Sequence, residues 1–255
     1  MNENDQYIRN IVTAHTPNVT YIVADKINEL KPHIHAWANG HAYTLKLSGS
    51  LAKGTAITGT TDIDLFISLD PSVSTCNTLE NVYNTLRNRF NGAGYSAREQ
   101  NVSLGIDHTG LKVDVVAGVR HQVLGLDHSI WKRKAQTWTK TNIDEHINHV
   151  KKSGRVSDIK AVKIWRKLHK LDFPSFYLEL SVIEALKGIG LINSSPASNF
   201  VTVMNYLVTD FEDRIIKDPA NQGNEVSDEL TVTEKLKVKE LAKATLAGNW
   251  NQAIW

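Results

Sequence analysis

The chain has 255 residues, 41% of them hydrophobic and 22% charged, and its 29 Lys and Arg against 27 Asp and Glu leave a net charge of +2. That is the balance of an ordinary globular protein with room for one large or two modest domains, and it argues neither for nor against a polyanionic partner. The single cysteine, Cys76, excludes an internal disulfide and any Cys-based zinc cluster. No stretch approaches the length of apolar residues that a membrane span needs, and the opening MNENDQYIRN lacks a signal-peptide core, so the expectation is a cytoplasmic protein with no membrane partner.

Residues 1–16 read as a polar, unpatterned lead-in. From Asn18 a helical period sets in, with Val19, Ile22, Val23, Ile27, Leu30, Ile34 and Trp37 on one face; Pro32 predicts a kink or restart and Gly40 a stop. Tyr43, Leu45 and Leu47 then alternate with polar residues as in a half-buried strand. A polar Gly/Ser/Thr/Lys segment, 48–61, leads to a second alternation in which Ile63, Leu65, Ile67 and Leu69 share one face and Asp62, Asp64, Phe66 and Ser68 the other. Residues 78–91 read as a helix. Strands are expected at about 96–106 and 111–117, joined through the hairpin-type turn Asp107-His108-Thr109-Gly110. Beyond about residue 140 the pattern turns helical, at about 142–152, 157–170, 175–188, 197–210 and 231–247. The expected fold is α+β: a mixed sheet with flanking helices in residues 1–140, packed on a helical domain in residues 141–255.

Side chains at i and i+2 of a strand point the same way, so Asp62 and Asp64 present two carboxylates side by side. The ordinary reading of Asp-x-Asp alone is a solvated strand face entered through a polar turn. The other reading is a metal site, because a divalent cation held by carboxylates and phosphate oxygens removes their repulsion. A third carboxylate, Asp114, sits in the alternating run Lys112-Val113-Asp114-Val115-Val116, and Gly49-Ser50 with Lys53-Gly54-Thr55 offers backbone N–H groups, hydroxyls and a cation to phosphate.

Gly49-Ser50, an eleven-residue gap and then Asp62-Ile63-Asp64-Leu65 resembles the hG[GS]…Dh[DE]h signature of the DNA polymerase β nucleotidyltransferase superfamily, with Asp114 matching its third acid. The string GSLAKGTAITGTTDIDLF is similar to the cGAS/DncV-like nucleotidyltransferases (CD-NTases), the 2′-5′-oligoadenylate synthetases and the archaeal CCA-adding enzymes. Ile159 to Trp165 and Pro174 to Leu180 look like the two family helices that carry a triphosphate lysine and a phosphate-binding serine followed by a base-stacking aromatic. Asp218-Pro219-Ala220-Asn221 with Asn224-Glu225-Val226 is similar to a late DP…N-x-V loop. The resemblance thus covers about residues 20–245. The lone cysteine leaves no zinc thumb of the animal cyclic-dinucleotide synthases, and the compact length leans toward a bacterial CD-NTase.

What the resemblance implies is a template-independent nucleotidyltransferase that makes a cyclic or linear oligonucleotide second messenger from NTPs, ATP among them, in antiphage signalling. The alternative is a CCA-type or terminal transferase acting on tRNA or a protein hydroxyl. Asp62, Asp64 and Asp114 would be catalytic and would hold two Mg²⁺ or Mn²⁺ ions. Gly49, Ser50, Lys53, Lys163, Ser175 and Phe176 would bind the nucleotide, and a regulatory protein or an effector recognising the product would be the partner. The stripe Lys160, Lys163, Lys167 and Lys170 otherwise reads as a solvated helix face. Lys132-Arg133-Lys134 and Lys151-Lys152 with Arg155 read as surface, as do His146 and His149.

Overall fold

The computed structural model describes residues 3–18, 20–59, 62–108, 111–192, 194–249 and 253–255. Val19 and the Thr109-Gly110 half of the expected turn lie outside them. In chain order the elements are α1 (Glu3–Ala14), α2 (Thr20–Ala38), β1 (Tyr43–Leu47), α3 (Gly49–Lys53), β2 (Ile63–Leu69), α4 (Leu79–Gly92), β3 (Ser96–Glu99), β4 (Leu104–His108), β5 (Leu111–Arg120), β6 (His128–Lys132) and β7 (Thr137–Thr141). They continue with α5 (Ile143–Lys152), α6 (Val156–Leu168), α7 (Ser175–Ala185), α8 (Pro196–Thr209), β8 (Lys217–Asp218), β9 (Asn221–Glu225) and α9 (Val232–Ala247). Local chemistry sets several ends. The Thr78 hydroxyl caps α4, Ser195 caps α8 with Pro196 in its first turn, and Thr231 with Glu234 forms a capping box on α9.

The chain divides into two compact units, each assembled from separate stretches of sequence. One comprises Asn18–Ala52 and Thr61–Ile147. In it seven strands form a mixed sheet of order β1-β2-β5-β4-β3, with β6 pairing the far end of β5 and β7 pairing β6. The β2–β5 pair is parallel and every other pairing in this sheet is antiparallel. Ile34, Leu65, Ile67, Leu86, Phe90, Leu104 and Val115 centre its core, which joins the sheet to α2 and α4. The other unit comprises Met1–Pro17, Lys53–Thr60 and Asn148–Trp255. Its core gathers α1, α6, α7, α8 and α9 around Trp165, Tyr177, Met204 and Phe211. Among the described residues no helix is long and apolar enough to cross a membrane.

Several expectations are corrected. Residues 3–14 are helical, not a loose lead-in: Ile8 and Val12 are buried, and the short i, i+4 apolar pair is hidden in sequence by the polar residues around it. Helix α2 runs through Pro32 without a break. The proline is exposed, so the missing N–H is on the water side, while Leu30, Ile34 and Ala38 hold the helix to the core. Ile22 is solvent-exposed, outside the face expected for it. The single strand at 96–106 is a hairpin, turning where the Gln100 N–H donates to the Ser103 carbonyl at 3.0 Å. The polar segment after β1 begins with the short helix α3, and Thr55, Ala56 and Ile57 within it are buried. Strand β2 is central, paired on both sides and buried on both faces from Leu65 onward, so it is not a solvated strand face. The helical second half contains one small hairpin, β8–β9.

Candidate active site

The acidic candidates lie in the sheet unit. Asp64 and Asp114 are register partners on the parallel strands β2 and β5, which places their backbones about 4.8 Å apart. Val113 and Val115 on either side of Asp114 face the core at 1% exposure, so the carboxylate is turned to the opposite face. Asp62 precedes β2 and is exposed. Burial raises the Asp114 carboxyl above the usual range, and the charge of Asp62 adds to it; a hydrogen bond from Gln100 opposes the shift. That hydrogen bond, Gln100 Nε2 to Asp114 Oδ1 at 2.9 Å, is itself braced by the Ser103 hydroxyl donating to Gln100 Oε1 at 2.6 Å.

Gly49 is where sequence and geometry meet most tightly. Its φ is +59°, a left-handed conformation, and a Cβ there would stand 1.7 Å from Asp64 Oδ2 and 2.3 Å from its Cγ. The Ser48 N–H and hydroxyl both donate to the Asp64 carbonyl, at 2.8 and 3.2 Å, tying the turn after β1 to the residue it shelters. The glycine therefore reserves the space that the Asp64 carboxylate occupies, with Ser50 next in line on α3. The donors are hard oxygens suited to Mg²⁺ or Mn²⁺, and Asp64 and Asp114 stand side by side. Among the described residues no three His, Cys, Asp or Glu side chains converge as a finished ligand set, so the fit is a carboxylate pair with Asp62 one residue ahead of the strand.

The helical unit holds the other candidates, arranged differently from expectation. Lys163 is not on a solvated face: it is 2% exposed, and its ammonium donates to Glu179 Oε1 at 2.6 Å and to the Thr55 hydroxyl at 3.0 Å. Lys53 donates to Glu179 Oε2 at 2.8 Å, and the Thr55 hydroxyl to Glu179 Oε1 at 2.6 Å. Burial alone pushes Glu179 up, but Lys53 and Lys163 outweigh it and hold the carboxyl at about 2, so it is ionised. Burial lowers Lys163 against the pull of Glu179. The two shifts favour opposite forms of one pair; the ionised carboxylate decides it, because three donated hydrogen bonds converge on it, from two ammoniums and a hydroxyl. Lys53 also lies 4.4 Å from the centroid of the Phe176 ring, a cation–π contact on the aromatic expected to stack on a base.

Ser175 opens α7 and is exposed; its hydroxyl accepts from Arg166 Nη1 at 3.0 Å, and the same nitrogen donates to the Phe173 carbonyl at 2.6 Å. Arg155, expected on the surface, is 4% exposed and donates to the carbonyls of Leu186 and Ile189. In the DP…N segment, Asp218 is buried and accepts from the Ala220 N–H at 2.8 Å, making the β8–β9 turn. Sequence reasoning missed Gln100, Arg166 and Glu179. The last had a signal: a lone acid in the apolar run Tyr177-Leu178-Glu179-Leu180 calls for buried cations.

Among curated proteins this chain is similar to the cyclic AMP-AMP-AMP synthase of Escherichia coli (strain MS 115-1), at 24% identity over 266 residues, covering 93% of this chain and 83% of the relative. Its fold matches the structure of Escherichia coli MS115-1 CdnC with ATP at a TM-score of 0.71, with 20% identity and coverage of 95% of this chain and 90% of that one. The chain has the fold of the CD-NTases. A second structure, the complex of Escherichia coli MS115-1 CdnC with HORMA-deltaN, matches this chain at a TM-score of 0.70 with 19% identity, over 91% of this chain and 85% of that one. No protein-family description matches the chain. The mixed sheet with flanking helices is the architecture these neighbours share.

Proposed function

We propose that this chain is a CD-NTase that joins NTPs, ATP among them, into a cyclic or linear oligonucleotide second messenger, in the cytoplasm and as part of CBASS-type antiphage signalling. The observation that carries the reading is the Asp64–Asp114 pair in register on adjacent strands, with Gly49 clearing the space for Asp64. The cyclic product of the curated relative and the ATP in the CdnC structure support adenine nucleotides as substrates. The HORMA complex of CdnC supports regulation by a protein partner.

In this reading Asp62, Asp64 and Asp114 would hold two Mg²⁺ or Mn²⁺ ions, and the ions would supply charge stabilisation to the oxygens of an in-line displacement at the α-phosphorus. Asp114, whose carboxyl is lifted above the ordinary range, is the group suited to take the proton of the attacking ribose hydroxyl. Gln100 keeps that carboxylate from rotating away. Ser50, Lys53 and Ser175 contact phosphates and Phe176 packs on the nucleotide base, fixing reactants in place and so removing much of the entropic barrier. Lys163 serves the same subsite.

The test is incubation of the purified chain with Mg²⁺ or Mn²⁺ and each labelled NTP, with and without tRNA. A phosphatase-resistant small product is expected, and Asp62→Asn combined with Asp64→Asn abolishes it without changing the circular dichroism spectrum. Label found only on tRNA or on protein would replace the second-messenger reading with the transferase one. Normal turnover by the double variant would sink both.

A further inference from the structure

Glu179 is an acid on a helix face made for apolar residues. Tyr177 through Val182 are all buried, and a carboxylate there is tolerable only with its oxygens fully occupied. They are: Oε2 receives Lys53, Oε1 receives both Lys163 and the Thr55 hydroxyl, and Lys163 closes the ring by donating to Thr55. Apolar residues of the same volume stabilise such a position as well or better, so stability alone gives no reason for three buried charges. The ring has two ammoniums for one carboxylate and keeps one positive charge in excess. Of its members, Lys53 retains the most accessible side chain, 10% against 2% for Lys163 and 1% for Glu179.

The geometry points to Glu179 as a positioning residue that aims the Lys53 ammonium at the phosphates of a bound nucleoside triphosphate, with Lys163 and Thr55 as parts of the same buried ring and Lys163 not itself a phosphate contact. This rests on the nucleotidyltransferase reading above. The ring takes in Thr55 of the segment that follows Lys53, and other contacts fix the rest of it. Ile57 is 2% exposed, the Thr58 N–H donates to the His15 carbonyl at 2.8 Å, and the Thr58 carbonyl accepts from Lys167 at 2.7 Å. In sequence that segment joins Gly49-Ser50 to Asp62-Asp64, so the ring holds the middle of the site's own signature.

The experiment is calorimetric binding of a non-hydrolysable ATP analogue and of AMP to the full chain and its variants, with thermal melting alongside. Glu179→Gln is expected to weaken the triphosphate analogue about tenfold or more while leaving AMP within about twofold, as misaiming a phosphate contact would. In a Lys53→Met background, Glu179→Gln should add less than about twofold, because both act through one ammonium. Thr55→Val, a gentler change, should cost the analogue about threefold and decides the matter if Glu179→Gln does not fold. Unchanged analogue binding in Glu179→Gln or Thr55→Val, an equal loss of AMP, or full additivity with Lys53→Met overturns the positioning role alone. Failure of the unmodified chain to bind any triphosphate overturns the nucleotidyltransferase reading and this inference together.

Discussion

The two charged clusters of the molecule are built on opposite terms. In the sheet unit Asp64 stands beside Asp114, and the charge of Asp62 adds to the burial that raises the Asp114 carboxyl, so like charges are gathered together. In the helical unit Glu179 is saturated by Lys53, Lys163 and Thr55, and its carboxyl is held at about 2. The first cluster sets like charges side by side, at a cost in stability; the second closes opposite charges on one another and acts by holding shape. Like charges gathered together point to chemistry, and opposite charges paired in the interior point to support.

The largest consequence is a reversal of sign between the two. Asp114→Asn should abolish turnover, by about three orders of magnitude or more, yet raise the melting temperature by about 1–3 °C. A carboxyl raised in the fold binds its proton more tightly than in the unfolded chain, so its ionisation costs stability as pH rises through the folded value; the amide has no such cost. Glu179→Ala should instead lose about 3–5 kcal/mol, the penalty of leaving buried ammoniums unpaired. Because Glu179 is lowered from 4.5 to about 2, that deficit should be present in full above pH 4.5 and shrink as pH falls toward 2. Melting curves of both variants from pH 3 to 8 check the pair. A destabilised Asp114→Asn, or a Glu179→Ala deficit that grows in acid, would break the contrast.

Gly49→Ala probes the point where backbone and acid meet. The left-handed φ costs a non-glycine residue about 1–3 kcal/mol, and the new methyl displaces the Asp64 carboxylate it would overlap. Turnover should fall about a hundredfold. Gly40→Ala is the control: its φ is +87° but nothing lies within 4 Å of the added Cβ, so it should share the backbone cost and keep its activity. Equal loss of activity in both would mean that the space for Asp64 is not what Gly49 provides.

The acidic cluster was legible in sequence because strand alternation and chain order state it directly: Asp62, Asp64 and Asp114 need only a period of two and a register between neighbours. The five long helices after residue 140 were legible for the same kind of reason, an apolar face renewed every three or four residues. What was not legible depends on contacts across long stretches of chain. Lys163 looked like one cation in a solvated stripe, and only the approach of Thr55 and Glu179 from other elements turns it inward. Pro32 misled because a proline breaks a helix only where its lost hydrogen bond matters, and on an exposed face it does not. The β3–β4 hairpin was missed because Gln100 to Ser103 contains no glycine or proline to announce a turn.

That hairpin turn supplies the smallest and most discriminating probe. Gln100 sits at the end of β3, where the Tyr83 hydroxyl donates to its carbonyl at 3.0 Å and to that of Ser103 at 3.2 Å, so the turn is fixed before the amide reaches Asp114. Gly105, across from Asp114 on β4, leaves room for the contact: a Cβ there would stand 2.8 Å from Gln100 Nε2. Gln100→Leu removes the donor but keeps the bulk, leaving Asp114 with the same burial and one fewer hydrogen bond. Turnover should drop about tenfold with substrate affinity nearly unchanged, and stability by only about 0.5–1.5 kcal/mol. Ser103→Ala, which loosens the amide without deleting it, should show the same pattern at about a third of the size. If instead substrate affinity falls while the turnover rate holds, Gln100 serves binding rather than the carboxylate, and the acidic cluster is less dependent on its frame than the basic one.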